Sequence, residues 1–316
     1  MQQFLLACDR IRTTGQAGRA QGRAWRERWK SRGGDRHGEH EDRSPPYPAG
    51  MAGSEDFEAM LSRLLAHRRL DAGELATVAG VPESELVAVL GGAEPSPSML
   101  RGLAPALGLH TSDLFLIAGH QVPDDLAPMG PAEPGVSSLV WHLVSIPQAG
   151  PQVLELVRSL PRQAHPEQAP PQAYDEWFVP GFGATLLRLF GNRNMRDFDA
   201  VGALWLLAGF GPWARTTLRM VGSRQKETSA DLVAACATVL GIPPGDLAAL
   251  AGVDVLDQPP NAAPEAVKLI WDARNFTAEQ MQYLDEQSHV IRHEHDDVVP
   301  PHMVCHCPLF RRERMS

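Results

Sequence analysis

LGLHTSDLFLIAG, Leu107 to Gly119, is written a second time as LGIPPGDLAALAG, Leu240 to Gly252, with six of thirteen positions identical. Each copy closes one helix with Leu-Gly, turns through a short polar stretch, and opens another helix at Asp-Leu that runs apolar to Ala-Gly. Self-similarity at a fixed offset reveals the building unit. Here that unit is about seventy residues long, too long for a solenoid repeat and suited to a small helical domain. The corner itself serves packing, so any function must lie in what precedes each copy.

The chain has 316 residues, 43% of them hydrophobic, which is room for two or three small domains with cores of their own. Its most apolar run, Val201 to Phe210, is far shorter than the ~20 residues a membrane span needs. The opening FLLAC has no leading positive charge and no long apolar region, so no secretory signal is expected. Four cysteines, Cys8, Cys236, Cys305 and Cys307, are too scattered for a disulfide framework, and a reducing cytoplasm is the expected location. The net charge of −9 conceals ten Arg and Lys against six acids in residues 1–50. The remainder is therefore strongly acidic, and any DNA site must be a local basic patch.

Residues 1–53, rich in Gly and Arg and carrying the Pro-rich SPPYPAG (Ser44 to Gly50), cannot bury enough apolar surface to order and are expected to be disordered. They are either a basic arm that grips DNA or an over-extended start ahead of Met51. A first domain is expected over 54–120. Phe57, Leu61, Leu64 and Leu65 make one helical face. Asp71 caps a second helix, with Glu74 in the reciprocal capping position and Gly80 at its end. Pro82 opens a third helix carrying Leu86, Val89 and Leu90. PSPS, Pro95 to Ser98, starts a fourth helix through Leu100, Leu103 and Leu107, and a fifth follows Asp113.

With ELATVAGVP (Glu74 to Pro82) at its centre and PSPSMLRGLAPALGL after it, this order of helices resembles the lambda-repressor-like helix-turn-helix domain of the XRE family. VPDDLAP (Val122 to Pro128) after the first copy, with the second copy ending GDLAALAGV (Gly245 to Val253), adds a resemblance to the XRE-type regulators of actinomycetes, and the high Ala, Gly, Arg and Pro usage suggests a GC-rich bacterial genome. The resemblance implies a positioning helix at Glu74 to Gly80 and a recognition helix at Pro82 to Leu90 that lies in the major groove. A recognition helix needs Arg, Lys, Asn or Gln to reach base edges. This one offers Glu83, Ser84, Glu85 and Ala88, and segment 55–119 holds nine acids against four arginines. Glu83, Ser84 and Glu85 are therefore only the weaker DNA candidates, and a protein partner or dimerisation suits this copy better.

Residues 121–181 are a Pro-rich linker with a helical hairpin, VSSLVWHLVSI (Val136 to Ile146) and VLELVRSL (Val153 to Leu160), broken by Pro147 and Pro151. Its apolar face is Leu139, Val140, Leu143, Leu154 and Val157, and His142 is expected at the surface or boundary. A second helix-turn-helix-like domain is expected over 182–256. It runs through Ala184 to Phe190, a helix through Val201 to Leu207 capped by Asp197 or Asp199, a third helix from Pro212, and Ala230 to Leu240. Between the turn and the Leu-Gly corner it is four residues longer than the first copy, where the chain is most basic. Arg215, Thr216 and Arg219 fall on one face of the third helix, away from Leu218 and Met220. Ser223, Arg224, Gln225 and Lys226 extend from its end towards phosphate. Residues 182–252 carry seven Arg and Lys against five acids. Trp205 and Trp213 read as core.

Residues 257–295 read as C-terminal helices with a capping box at Thr277 and Gln280, and 296–316 as a flexible His/Cys tail. His289, His293, His295, His302, Cys305, His306 and Cys307 invite zinc, and His289 and His293 would share a helix face. Cys-His-Cys lacks the loop of two to four residues that lets two cysteines close a tetrahedral site, so no metal and no cofactor are expected. No Gly-rich phosphate loop, nucleophile elbow or HExxH appears, so no catalytic residues are nominated and the chain does not read as an enzyme. The fold class expected is all-α, with two lambda-repressor-like five-helix units joined by the hairpin. The function expected is a cytoplasmic transcriptional regulator binding double-stranded DNA mainly through the second copy, as a homodimer, with no membrane association. A non-enzymatic protein-interaction module is the alternative.

Overall fold

The computed structural model describes residues 54–130, 135–145, 149–161, 181–211, 215–254 and 264–294. The described residues form fourteen α-helices and one 3-10 turn, with no strand among them. The fold is all-α. None of these helices is long and apolar enough to cross a membrane.

The first run of helices follows the local chemistry closely. In α1 (Ser54–Arg68) the residues Phe57, Leu61, Leu64 and Leu65 are buried on one face. Asp71 then accepts the Glu74 N–H at 2.7 Å and starts α2 (Ala72–Ala79). Gly80 turns the chain at φ 66°, a left-handed conformation that costs glycine little. Next come α3 (Glu83–Leu90), then α4 (Pro97–Ala106) with Ser96 accepting the Met99 N–H, and α5 (Thr111–Ile117). The fifth helix starts ahead of the expected Asp-Leu, so Asp113 lies buried inside its first turn.

A second run repeats these features: α8 (Phe182–Gly191), α9 (Asp197–Ala208), α10 (Arg215–Gly222), α11 (Ala230–Leu240) and α12 (Pro244–Ala251). Gly209 turns at φ 64° where Gly80 does, and Ser229 caps α11 as Ser96 caps α4. Before α9 the expected caps fail. Its N-cap is Arg196, which makes no side-chain cap bond, because Asp197 and Asp199 are turned inward.

The two runs exchange their ends: α1 packs on α12, and α8 packs on α5. Each contact is fastened by the aspartate of the repeated stretch. Asp246 accepts both guanidinium nitrogens of Arg68 at 2.9 and 2.6 Å, and Asp113 accepts Arg193 at 3.0 and 2.8 Å. The arginines are equivalent too. Each precedes a non-glycine residue in left-handed conformation, Arg69 at φ 55° and Asn194 at φ 56°. Such forked, charge-assisted pairs fix geometry as well as adding energy.

The Asp113–Arg193 pair is buried on both sides. An isolated buried pair seldom offsets its own desolvation, and this one is not isolated. Arg193 also donates to the Leu189 and Leu240 carbonyls, and the Asn192 amide donates to Ser112 and Asp113. Arg274 donates to the Asn192 carbonyl at 2.7 Å and to the Leu126 carbonyl. Trp271 covers this network, stacked on His110 at 3.4 Å with the guanidiniums of Arg193 and Arg274 over its ring at 5.1 and 4.4 Å. Burial, with the Arg193 charge adding and Asp113 opposing, pushes Arg274 down to about 10, so it stays charged at neutral pH.

The hairpin, α6 (Val136–Ser145) and α7 (Gly150–Ser159), lies against α13 (Pro264–Ala273) and α14 (Ala278–Glu294), and α6 also packs on α9. Leu139, Val140, Val153 and Val157 join the same core as both runs. Pro151 sits in the first turn of α7, where a missing N–H costs nothing. Thr277 and Gln280 form the expected reciprocal cap, at 3.0 and 3.2 Å. One expectation is overturned: His142 is 2% exposed, because α14 covers the face of α6 that carries it.

Candidate nucleic-acid interface

Helix α10 is amphipathic, with Leu218 and Val221 buried and packing against α8 and α9. Thr216, Arg219 and Met220 face outward. Met220 was expected on the apolar side, yet it is 40% exposed, because the core face of so short a helix is filled by Leu218 and Val221. Arg215 begins the helix, and its side chain lies outside the described residues, as does Trp213; Trp205 is half-buried.

Arg219 is exposed but not idle. Its Nε donates to Asp197, whose carboxylate sits in the first turn of α9, where free N–H groups favour negative charge. Asp199, two residues on, accepts the Ser137 N–H and hydroxyl instead and ties α9 to α6. Neither contact had a local signal, since the partners come from elsewhere in the chain.

The turn after α10 departs from expectation at one residue. Ser223 donates its hydroxyl to the Arg219 carbonyl at 2.9 Å, so it closes the helix rather than reaching outward. Arg224 follows at φ 56° with its N–H on the Val221 carbonyl, and the Lys226 N–H returns to the Met220 carbonyl. The backbone therefore curls back on the helix end and leaves Arg224, Gln225 and Lys226 exposed. The Arg224 guanidinium lies against Gly181, the residue that precedes α8.

Burial sharpens the charge of this surface. Arg193 is withdrawn into the core, but so are the acids Asp197, Asp199 and Asp246. What faces solvent is Arg196, Arg219, Arg224 and Lys226, against Glu227 and Asp231. On the first run the corresponding helix, α3, buries Leu86 and Val89 and exposes Glu83, Ser84, Glu85 and Ala88. Beside them Val87 is 53% exposed, and Val78 at the end of α2 is 73% exposed. The His/Cys tail from His295 onward lies outside the described residues.

No family model, no curated protein and no solved structure matches this chain.

Proposed function

We propose that the chain is a transcriptional regulator built on two helix-turn-helix units of the lambda-repressor type, and that it contacts duplex DNA mainly through the second. What carries the reading is the exposed basic turn at the end of α10, Arg224 to Lys226, beside Arg219 and Thr216 on the same outward side. Gly80, left-handed between α2 and α3, gives the first unit the motif's sharp turn, and Gly209 ends α9 in the same conformation. Phosphate contacts give most non-specific affinity, and arginine, lysine and small polar groups make them. The Arg219–Asp197 contact is compatible with this role: the arginine is two-thirds exposed and its fork has further N–H donors, so a phosphate can approach it while Asp197 keeps its contact. Arg224 beside the start of α8 would hold a phosphate between a cation and a helix N-terminus. Two copies of the chain would present the patch twice, as paired half-sites require.

The test is fluorescence anisotropy of the full chain with random duplex DNA from low to physiological salt. Affinity falling steeply with salt is expected, with Arg224→Glu plus Lys226→Glu removing most of it while helicity is unchanged. Equal binding by the variant would remove this surface from the account.

A second reading has its own observation. The exposed face of the first run combines Val78 and Val87 with Glu83 and Glu85, which suits a protein partner with apolar and basic groups rather than phosphate. On that reading both units are interaction modules, and the chain would bind no DNA even at low salt.

A further inference from the structure

Asp285 and His289 lie four residues apart on α14 and so share a face. Opposite them, on α6, stand Ser138 and His142 at the same spacing. The Nε2 of His142 is 3.5 Å from Oδ1 of Asp285, and the Nε2 of His289 is 3.8 Å from Oδ2. One donor atom from each of the three residues lies within 4.8 Å of the other two. The two imidazoles meet edge to face at 4.5 Å.

We propose that His142, Asp285 and His289 form a site for a divalent transition metal of the zinc class, which staples α14 to α6. Two imidazoles and a carboxylate are ligands such ions take. A tetrahedral ion with bonds of about 2.0–2.1 Å holds its donors roughly 3.3–3.5 Å apart, so the donors, now up to 4.8 Å apart, would draw inward by as much as about 1.4 Å to close on it. The second observation is His142 itself. It is buried, and neither ring nitrogen makes a hydrogen bond: Nδ1 meets no acceptor and Nε2 has only the 3.5 Å ion-pair contact to Asp285. A buried polar group without a partner forfeits its hydration with no return, and an ion on Nε2 supplies that partner. Ser138 donates its hydroxyl to Asp285 and so orients the carboxylate from behind, the usual second layer of a metal site. Burial raises the Asp285 carboxyl, but its contacts with His142 and Ser138 and the nearby imidazoles outweigh this and hold it below its ordinary value. His289 is half-exposed, which leaves a way in from solvent and room for a water as fourth ligand. With three protein ligands and no outer partner on His142 Nδ1, binding should be weaker than at a closed four-ligand zinc site.

The test must separate this site from the His/Cys tail. Equilibrium dialysis of the full chain carrying Cys305→Ser and Cys307→Ser against Co2+ should give about one ion per chain, with visible d–d absorption and no sulfur charge-transfer band. The same protein with His289→Gln should lose that absorption and at least tenfold in affinity, with unchanged far-UV circular dichroism. Ser138→Ala should weaken binding roughly 10–100-fold without abolishing it. Zn2+ should raise the melting temperature of the parent and not of His289→Gln. Equal uptake by parent and His289→Gln would assign the ion to the tail and overturn the site. No uptake by either would leave His142 and Asp285 as an ion pair only, and would overturn it equally.

Discussion

Asp113 and Asp246 occupy the same place in the two copies of the repeated stretch and do the same work, each holding an arginine from the other run. The helices ahead of them face solvent with opposite chemistry: Glu83, Glu85 and Val87 on α3, Thr216 and Arg219 on α10, with Arg224 and Lys226 beyond it. The inward half of the repeated stretch is thus shared and reciprocal, while the outward halves differ in chemistry. Packing constrains the first because each corner must fit its twin. Nothing in the core constrains the second, so it is where a change of partner can be written.

The reciprocity is not even. Asp113–Arg193 is buried throughout, whereas Arg68 keeps 22% of its side chain exposed. Arg193→Ala should therefore be the most damaging change, about 3–5 kcal/mol by urea denaturation, since it strands a buried carboxylate. Arg68→Ala, the same change in the mirror position, should cost roughly 1.5–3 kcal/mol, as for hydrogen bonds to a charged group. Equal losses would mean that the buried network adds nothing to the pair.

The fourth helices make a second contrast. Gly102 in α4 stands where α11 has Ala235, five residues before each Leu-Gly corner. A Cβ at Gly102 would come within 2.8 Å of the Ala79 carbonyl oxygen, so α2 and α4 cross closely at this glycine. Gly102→Ala should destabilise by about 1–3 kcal/mol through overpacking, although alanine is the better helix former. Ala235→Gly should cost roughly 0.5–1 kcal/mol through chain entropy. Thermal melts of the two variants check the order.

The smallest difference is one of pH. His110 occupies the position of Pro243 in the other copy. Burial above all, with Arg193 and Arg274 adding and Asp113 opposing, holds His110 below its ordinary value. The folded chain then binds fewer protons than the unfolded chain between that lowered value and about 6.5. Stability is full above that window and falls as pH drops through it. His110→Gln should reduce the fall in melting temperature between neutral and mildly acidic pH, and an unchanged fall would assign it to other groups.

Much of the architecture was legible from local chemistry. Asp71, Ser96, Thr277 and the glycines at 80 and 209 act where a cap or a left-handed turn needs those residue types. The helical faces of Phe57 to Leu65 and of Leu139 and Val140 follow from spacing alone. What could not be read was every partner far along the chain. Asp197 and Asp199 look like caps because Asp at a helix start usually is one; their partners, Arg219 and Ser137, lie 22 and 62 residues away. His142 reads as a boundary residue because the helix that buries it comes more than a hundred residues later. Of the DNA candidates, Arg219, Arg224 and Lys226 are outward, whereas Ser223 is bonded to its own helix end.

The most direct measurement is the salt slope of duplex DNA binding for two variants of the full chain. One carries Arg219→Gln, Arg224→Gln and Lys226→Gln on the second run; the other carries Glu83→Gln and Glu85→Gln on the first. Each phosphate contact contributes about 0.9 to the slope of log affinity against log salt. The first variant should lose affinity and about two to three units of slope, while the second keeps the parent slope. A parent slope retained by the first variant, or no binding by the parent at low salt, would contradict DNA binding through the second run.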